Sequence, residues 1–314
     1  MATIKEYWLP EATIGTNTLA DAAMFYFGGY IDQAGSGLTE INIDNQINEI
    51  EKSGQYYKEF TIGNQPLDSM TVKYLVVNGL CAKWALGAVT NDENGLHTIV
   101  NFTTARKPTI SVWRQGDFHK DYAKGLVCGS SDFAYQLGSP LMVTQTFKGR
   151  ANGKTTDTAA SVTFPDGVDS YFQKLSFFNW NGFAYAIEGF RVQYVQSLVP
   201  FMGPLGFYAD INEFTTIEAI WTVIFAEGVD ISAIITDLFT IDETGANTGT
   251  ARVIEAKVLK AADNAKYIDF YNAAAIPIAL RKTAQVGQPT RYEMVFLGGT
   301  SVITCVDGVA DAKY

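Results

Sequence analysis

The sequence predicts a mainly β protein of two tandem β-sandwich or barrel domains, each with one flanking α-helix. Three observations predict it. Val, Ile and Thr are plentiful beside 20 Phe, 16 Tyr and 5 Trp, the side chains that suit a pleated, half-buried surface. Short runs of alternating apolar and polar residues recur along the chain, punctuated by 28 glycines that supply turns. The length of 314 residues suits two units of about 150 residues better than one.

Residues 1–37 are irregular in pattern. A period-2 ribbon follows, with Ile41, Ile43, Ile47 and Ile50 apolar and Glu40, Asn42, Asp44, Gln46 and Asn48 on the polar side. Asn45 is the one polar lapse on the apolar side. A turn at Ser53-Gly54 leads to a second strand over 55–62. From Asp68-Ser69 onward, Met70, Tyr74, Val77, Cys81 and Trp84 recur at helical spacing. That spacing predicts a helix ending at Gly87, against the hairpin signal of Asn78-Gly79 inside it. Strands are expected over 97–103, 109–114, 126–136 and 141–149. The Gly/Thr/Ala-rich stretch 149–160 reads as a linker and sets the domain boundary near residue 160.

The second half, 161–314, repeats this order. Strands over 172–178 and 183–188 flank an Asn181-Gly182 turn, and another covers 190–198. A Pro/Gly-rich excursion at 200–206 precedes a long strand over 213–225 and a helix over 230–239. Strands over 252–260, 266–271, 276–281 and 291–297 complete it. Glu59-Phe60-Thr61-Ile62 precedes the first helix, and Glu213-Phe214-Thr215-Thr216-Ile217 precedes the second. The second half is therefore expected to be a repeat of the first.

The formal net charge is −10. A protein that grips nucleic acid replaces phosphate counterions with a cationic stripe. The most basic stretch, Lys148, Arg150 and Lys154, falls in the linker-like segment. Cys81, Cys128 and Cys305 stand far apart among apolar or small residues and read as reduced core side chains. The first residues lack the basic and apolar regions of a signal peptide, so synthesis in a cytoplasm without export is expected. A membrane span needs about 18 apolar residues. The closest stretch, 217–239, is interrupted by Glu218, Glu227, Asp230 and Asp237, so no membrane partner is expected.

Residues for chemistry are sparse. His97 and His119 have no cysteine at zinc-ligand spacing, and read as a strand residue and an exposed loop residue. The sequence has no Gly-x-Ser-x-Gly elbow, P-loop or dinucleotide-binding glycine motif. Cys128-Gly129-Ser130-Ser131 lacks a flanking base and reads as a β-turn. Asp242-Glu243, Asp263 and Asn91-Asp92-Glu93-Asn94 read as solvated turns, the last without a calcium-loop pattern. Phe177, Phe178 and Trp180 read as core. No catalytic residue, metal or cofactor is expected, and the chain is not expected to be an enzyme.

Gly63-Asn64-Gln65-Pro66, the run Ala82-Lys83-Trp84-Ala85-Leu86-Gly87-Ala88-Val89, a polar loop and His97-Thr98-Ile99 follow one another. Together they resemble a stretch of the tail tube proteins of long-tailed bacteriophages and related archaeal viruses. Lys107-Pro108-Thr109-Ile110-Ser111-Val112 and Tyr122-Ala123-Lys124-Gly125-Leu126-Val127-Cys128 resemble the next two strands of that family. The resemblance covers about residues 38–150. It implies a structural virion protein in the tail, whose subunits form stacked rings with strands closing into one barrel around a DNA channel. A chain with two such domains would need three copies per ring. If the second domain were an outer decoration, six would be needed.

Under this resemblance Glu40, Asn42, Asp44, Gln46 and Asn48 would line the channel, where a polar to acidic face lets DNA pass as cargo without binding it. Val199, Phe201, Met202, Leu205, Phe207 and Tyr208 would form a loop that contacts the next ring, since so apolar a segment suits burial between subunits. Tape-measure, terminator and baseplate proteins would be the family's further partners. Two other classes fit the composition: a capsid, sheath or tail terminator subunit, and a carbohydrate- or ligand-binding β-sandwich with a pocket lined by Trp113 or Trp180.

Overall fold

The computed structural model describes residues 5–11, 24–25, 47–50, 59–62, 68–91, 95–101, 108–115, 120–149, 151–154, 162–163, 171–202, 209–240, 249–283 and 290–308. The first half holds β1 (Lys5–Glu11), β2 (Met24–Phe25), β3 (Ile47–Ile50), β4 (Glu59–Ile62), β5 (Asp68–Leu75), α1 (Leu80–Leu86), β6 (Gly87–Asn91), β7 (Leu96–Asn101), β8 (Thr109–Gln115), β9 (Lys120–Gln136), β10 (Met142–Gly149) and β11 (Ala151–Lys154). The second holds β12 (Val162–Thr163), β13 (Phe172–Trp180), β14 (Phe183–Ala184), β15 (Ile187–Met202), β16 (Ala209–Phe225), α2 (Ser232–Leu238), β17 (Arg252–Lys260), β18 (Tyr267–Thr283), β19 (Arg291–Gly298) and β20 (Ser301–Val306). The protein is mainly β, as its composition predicts.

Three ribbons of paired strands share two long members. The first runs β5-β10-β9-β15-β16-β19-β18, all antiparallel. The second runs β14-β13-β17-β18-β20-β7-β6. The third runs β12-β2-β1-β8-β9-β11, with β12 and β2 parallel. β9 and β18 can belong to two ribbons because each is 17 residues long and bent by bulges, where an extra residue turns the strand.

The bulges fall at matching places. Along β9 the register slips between Ile110↔Leu126 and Val112↔Ala123, and again between Phe147↔Cys128 and Thr146↔Ser130. Along β18 it slips between Arg252↔Ala275 and Ile254↔Asn272, and again between Pro277↔Phe296 and Ala279↔Val295. Leu126 to Cys128 separate the two slips in one strand, and Ala275 to Pro277 in the other. The first bulge is built differently in each: Gly125 takes φ 66° in β9, a left-handed value that glycine adopts freely. In β18 the Asn272 carboxamide accepts the Ala274 N–H at 3.1 Å.

Much of the pairing scheme occurs twice among the described residues. β8-β9-β10-β5 in the first half corresponds to β17-β18-β19-β16 in the second. β11 edges β9 where β20 edges β18, and β1 lies beside β8 as β13 lies beside β17. In the hairpins, Ile47 faces Ile62 and Leu198 faces Glu213, partners equally far apart along the chain. A short helix follows β5 and β16 alike, each led by an Asx turn: Leu80 N donates to Asn78 Oδ1 at 3.1 Å and Ser232 N to Asp230 Oδ1 at 2.9 Å.

The two repeats are joined through their sheets. β9 pairs β15 from Gly189↔Gln136 to Val195↔Ser130, and β7 pairs β20. One apolar cluster runs through both, and Phe270 of β18 lies 5.1 Å from the Phe133 ring and 5.9 Å from Phe190. The expected boundary near residue 160 lies outside the described residues.

Several elements differ from expectation. The helix expected from residue 68 to Gly87 is a strand, a turn and a seven-residue helix. Val72 and Tyr74 alternate inward from β5, and Asn78-Gly79 ends that run before α1 begins. Cys128-Gly129-Ser130-Ser131 is the second bulge of β9 rather than a turn. The two strands expected over 266–281 are one, β18. Part of the 149–160 linker is β11, paired to β9. The Asn181-Gly182 turn is present, with φ 51° and 79° as its hairpin type requires.

Phe270→Ala should cost about 3–5 kcal/mol, shifting one cooperative denaturant transition seen alike by tryptophan fluorescence and far-UV circular dichroism. Two separate transitions, with only one displaced, would contradict a shared core.

Candidate functional site

The first ribbon has two unlike faces, because side chains alternate along each strand. Val143, Phe133, Val192, Tyr194, Trp221, Val223, Met294 and Phe296 point into the core. The opposite face carries Lys73, Thr144, Asp132, Arg191, Gln193, Glu218, Thr222, Glu293 and Arg281, with exposed Ile224 and Leu297 among them. Three ion pairs cross its strands. Arg191 Nε donates to Asp132 Oδ1 at 2.6 Å, and its Nη2 reaches the other oxygen. Arg281 Nη1 donates to Glu293 at 2.9 Å, and Arg291 Nε lies 3.4 Å from Glu188. The bond from Asp132 holds the Arg191 guanidinium above its ordinary pKa. Such exposed pairs add little stability, about 0–1 kcal/mol each, but they leave the face polar with no concentration of positive charge.

Of the residues expected to line a channel, Asn48 lies in β3 opposite Thr61, while Glu40, Asn42, Asp44 and Gln46 fall outside the described residues. Val199, Phe201 and Met202, expected in a loop, extend β15 and pair with Asn212, Asp210 and Ala209 of β16. Leu205, Phe207 and Tyr208 lie outside the described residues. The described polar face carries both signs of charge rather than an acidic excess. The period-2 pattern of Arg191, Val192, Gln193 and Tyr194 could have exposed this face in the sequence; the cross-strand ion pairs could not.

Two groups of buried polar residues are tied together by hydrogen bonds. Tyr74 Oη donates to Gln145 Oε1, and Gln145 Nε2 donates to Cys81 O at 2.9 Å and Ser131 Oγ at 2.8 Å. Cys128 Sγ lies 3.2 Å from Ser131 Oγ. Burial pushes the Cys81 thiol far above its ordinary value, so it is no nucleophile. His97, in β7 as expected, is fully buried; its Nδ1 lies 2.8 Å from Asn91 Oδ1 and its Nε2 3.7 Å from Asp307 Oδ1. Asp307 also accepts the Gly79 N–H at 2.6 Å, and its carbonyl accepts Lys260 Nζ at 3.3 Å. This cluster ties the end of the chain to the turn before α1. Trp180 is buried, its ring 4.8 Å from Phe296 and its Nε1 donating to Asp237 at 3.1 Å, so it does not line a sugar pocket. Among the described residues no three His, Cys, Asp or Glu side chains are placed to hold a metal, and no helix is long and apolar enough to cross a membrane.

One shallow groove of about 370 Å³ runs past Tyr135, Leu137, Gly138, Gln173 and Leu175. Its tyrosine hydroxyl donates to Gln173 O at 3.1 Å and accepts Leu175 N–H at 3.2 Å, which occupies it within the fold. The remaining feature is an edge. The C-terminal part of β9 has β10 on one side and β15 on the other, whereas among the described residues β19 is the one strand paired with β18 beyond Ala275, where Gly249 packs against Ile276. A polar sheet face and a strand edge that no described strand pairs are thus the two surface features of this β-rich chain. The chain matches no protein-family model and no curated protein.

Asp269 on β18 gives a pH signature. Burial and then the Glu255 charge push its carboxyl up to about 7, against the pull of Lys257. An unfolded aspartate titrates near about 3.9, so the folded state binds this proton more tightly. Its stabilising share is complete below that value and is lost as pH rises through about 7. Asp269→Asn should therefore raise the melting temperature by a few degrees at pH 8, with the gain vanishing towards pH 4. A lower melting temperature at every pH would contradict this.

Proposed function

We propose that this chain is a structural subunit that self-assembles into stacked rings, forming the tail tube through which a tailed virus passes its DNA. The observation that carries the reading is the pair of equivalent strand edges: the one on β9 is filled by β15 of the same chain, and among the described residues no strand pairs with the one on β18. An unpaired edge of this length invites another strand, and closure into a barrel removes it. Because each chain carries the pairing scheme twice, three chains make a ring of six units. The polar face of the first ribbon then lines the bore. Its matched ion pairs offer no cationic stripe to replace phosphate counterions, so DNA slides along it. The resemblance of residues 38–150 to tail tube proteins supports the same reading, and extends it to a tape-measure protein, a terminator and a baseplate as partners in the virion.

Electron microscopy of the purified chain at rising concentration tests this. Hollow tubes or stacked rings of uniform bore, formed without nucleotide, metal or cofactor, are the expected result. Closed shells would move the chain to another virion role. A monomer at every concentration in size-exclusion chromatography with light scattering would remove the reading.

A further inference from the structure

We infer that Asn78-Gly79 is a latent deamidation site, held shut by the Asp307 carboxylate. The chemistry belongs to the dipeptide and does not depend on assembly. Where asparagine precedes glycine, the glycine nitrogen can attack the asparagine Cγ, since no Cβ stands in the way. Here the bond from Gly79 N to Asn78 Cγ would form and the Asn78 Cγ–Nδ2 bond would break. Ammonia would leave with the proton of the Gly79 amide, and water would open the ring to aspartate or isoaspartate. The reaction needs an amide nitrogen that can lose its proton, a carboxamide free to swing over it, and water.

The fold opposes each of these. The Gly79 N–H donates to Asp307 Oδ2 at 2.6 Å, a charge-assisted bond. A carboxylate against that nitrogen disfavours the amide anion that would attack. Leu80 N–H donates to Asn78 Oδ1 at 3.1 Å, which fixes the carboxamide on the turn. Ala82 N–H donates to Gly79 O at 2.9 Å and ties down the other side of the same residue. Asn78 is 8% exposed, and Asp307 is fully buried. Asp307 directly follows β20 and reaches the turn because β20 is paired between β18 and β7. Lys260 Nζ donates to its carbonyl at 3.3 Å, and His97 Nε2 lies 3.7 Å from its Oδ1. The guard therefore comes from 228 residues further along the chain, and Asn78 is shielded only while β20 is docked. Conversion is one-way. Isoaspartate lengthens the backbone between β5 and α1, and either product sets a new negative charge at the turn that Asp307 caps. Asn181-Gly182 repeats the dipeptide in an exposed hairpin turn and serves as a reference within the same chain.

The test is incubation of the full chain in mildly alkaline buffer, with conversion at each asparagine read by peptide mass spectrometry. Asp307→Ala should convert Asn78 at least about tenfold faster than the wild type, the effect of losing one charge-assisted bond. Conversion at Asn181 should stay unchanged. An Asn78 rate equal to that of the wild type would overturn the inference, and so would an equal rise at both asparagines, which would make Asp307 a general prop of the fold. If Asp307→Ala does not fold, the wild type alone decides. Under rising, sub-denaturing urea, Asn78 conversion should climb in step with hydrogen exchange at the Gly79 amide, because the nitrogen that exchanges is the one that attacks. Asn78 converting while that amide stays protected, or converting as fast in the native chain as in the unfolded one, would contradict a guarded site.

Discussion

The fold depends on the requirement that backbone N–H and C=O groups find partners, imposed on two strands long enough to serve two ribbons each. β9 and β18 bend at paired bulges, so that their first parts sit in one layer and their last parts in another. Each therefore presents four stretches of edge. On β9 the chain fills all four, with β8, β11, β10 and β15. On β18 three are filled among the described residues, with β17, β20 and β19. The core follows from that bend: Phe270 on the first part of β18 packs against Phe133 and Phe190, which lie on paired neighbouring strands of the first ribbon.

A duplicated scheme in which no described strand fills one slot differs from an ordinary sheet edge. Isolated edges are commonly protected by charge, proline or a covering loop. On the corresponding edge of β9 the slot is filled by β15, antiparallel and in register from Gly189↔Gln136 to Val195↔Ser130. The polar face is likewise explained by continuity. Ion pairs that join β15 to β9 and β18 to β19 neutralise one another across strands, which keeps a broad sheet face hydrated without giving it a strong field.

The alternation of strands was legible in the sequence, since period 2 survives whatever a strand pairs with. Lengths and breaks were not. Met70, Tyr74, Val77, Cys81 and Trp84 keep helical spacing, yet Tyr74 belongs to a strand face and Cys81 and Trp84 to a helix, with a turn between them. Residues 70 and 74 fit either period, and β-branched Val72 between them was the better guide. The bulge at Gly129 uses turn-forming residues inside a continuous strand, so its local chemistry pointed to a turn. Arg191 and Asp132 are 59 residues apart along the chain, and only the sheet brings them together. The repeat was faint as letters because it is preserved as register and bulges rather than as side chains.

Backbone amide hydrogen exchange, followed from dilute to concentrated protein, tests the central claim most directly. The account predicts that the amides of Ser130–Gln136 are protected throughout, since β10 and β15 enclose that stretch. Alternate amides of Ala279–Thr283, which face away from β19, should exchange quickly in dilute solution and slow sharply as copies associate. Equal protection of both stretches at the lowest concentration would show that β18 has no open edge and would contradict the account.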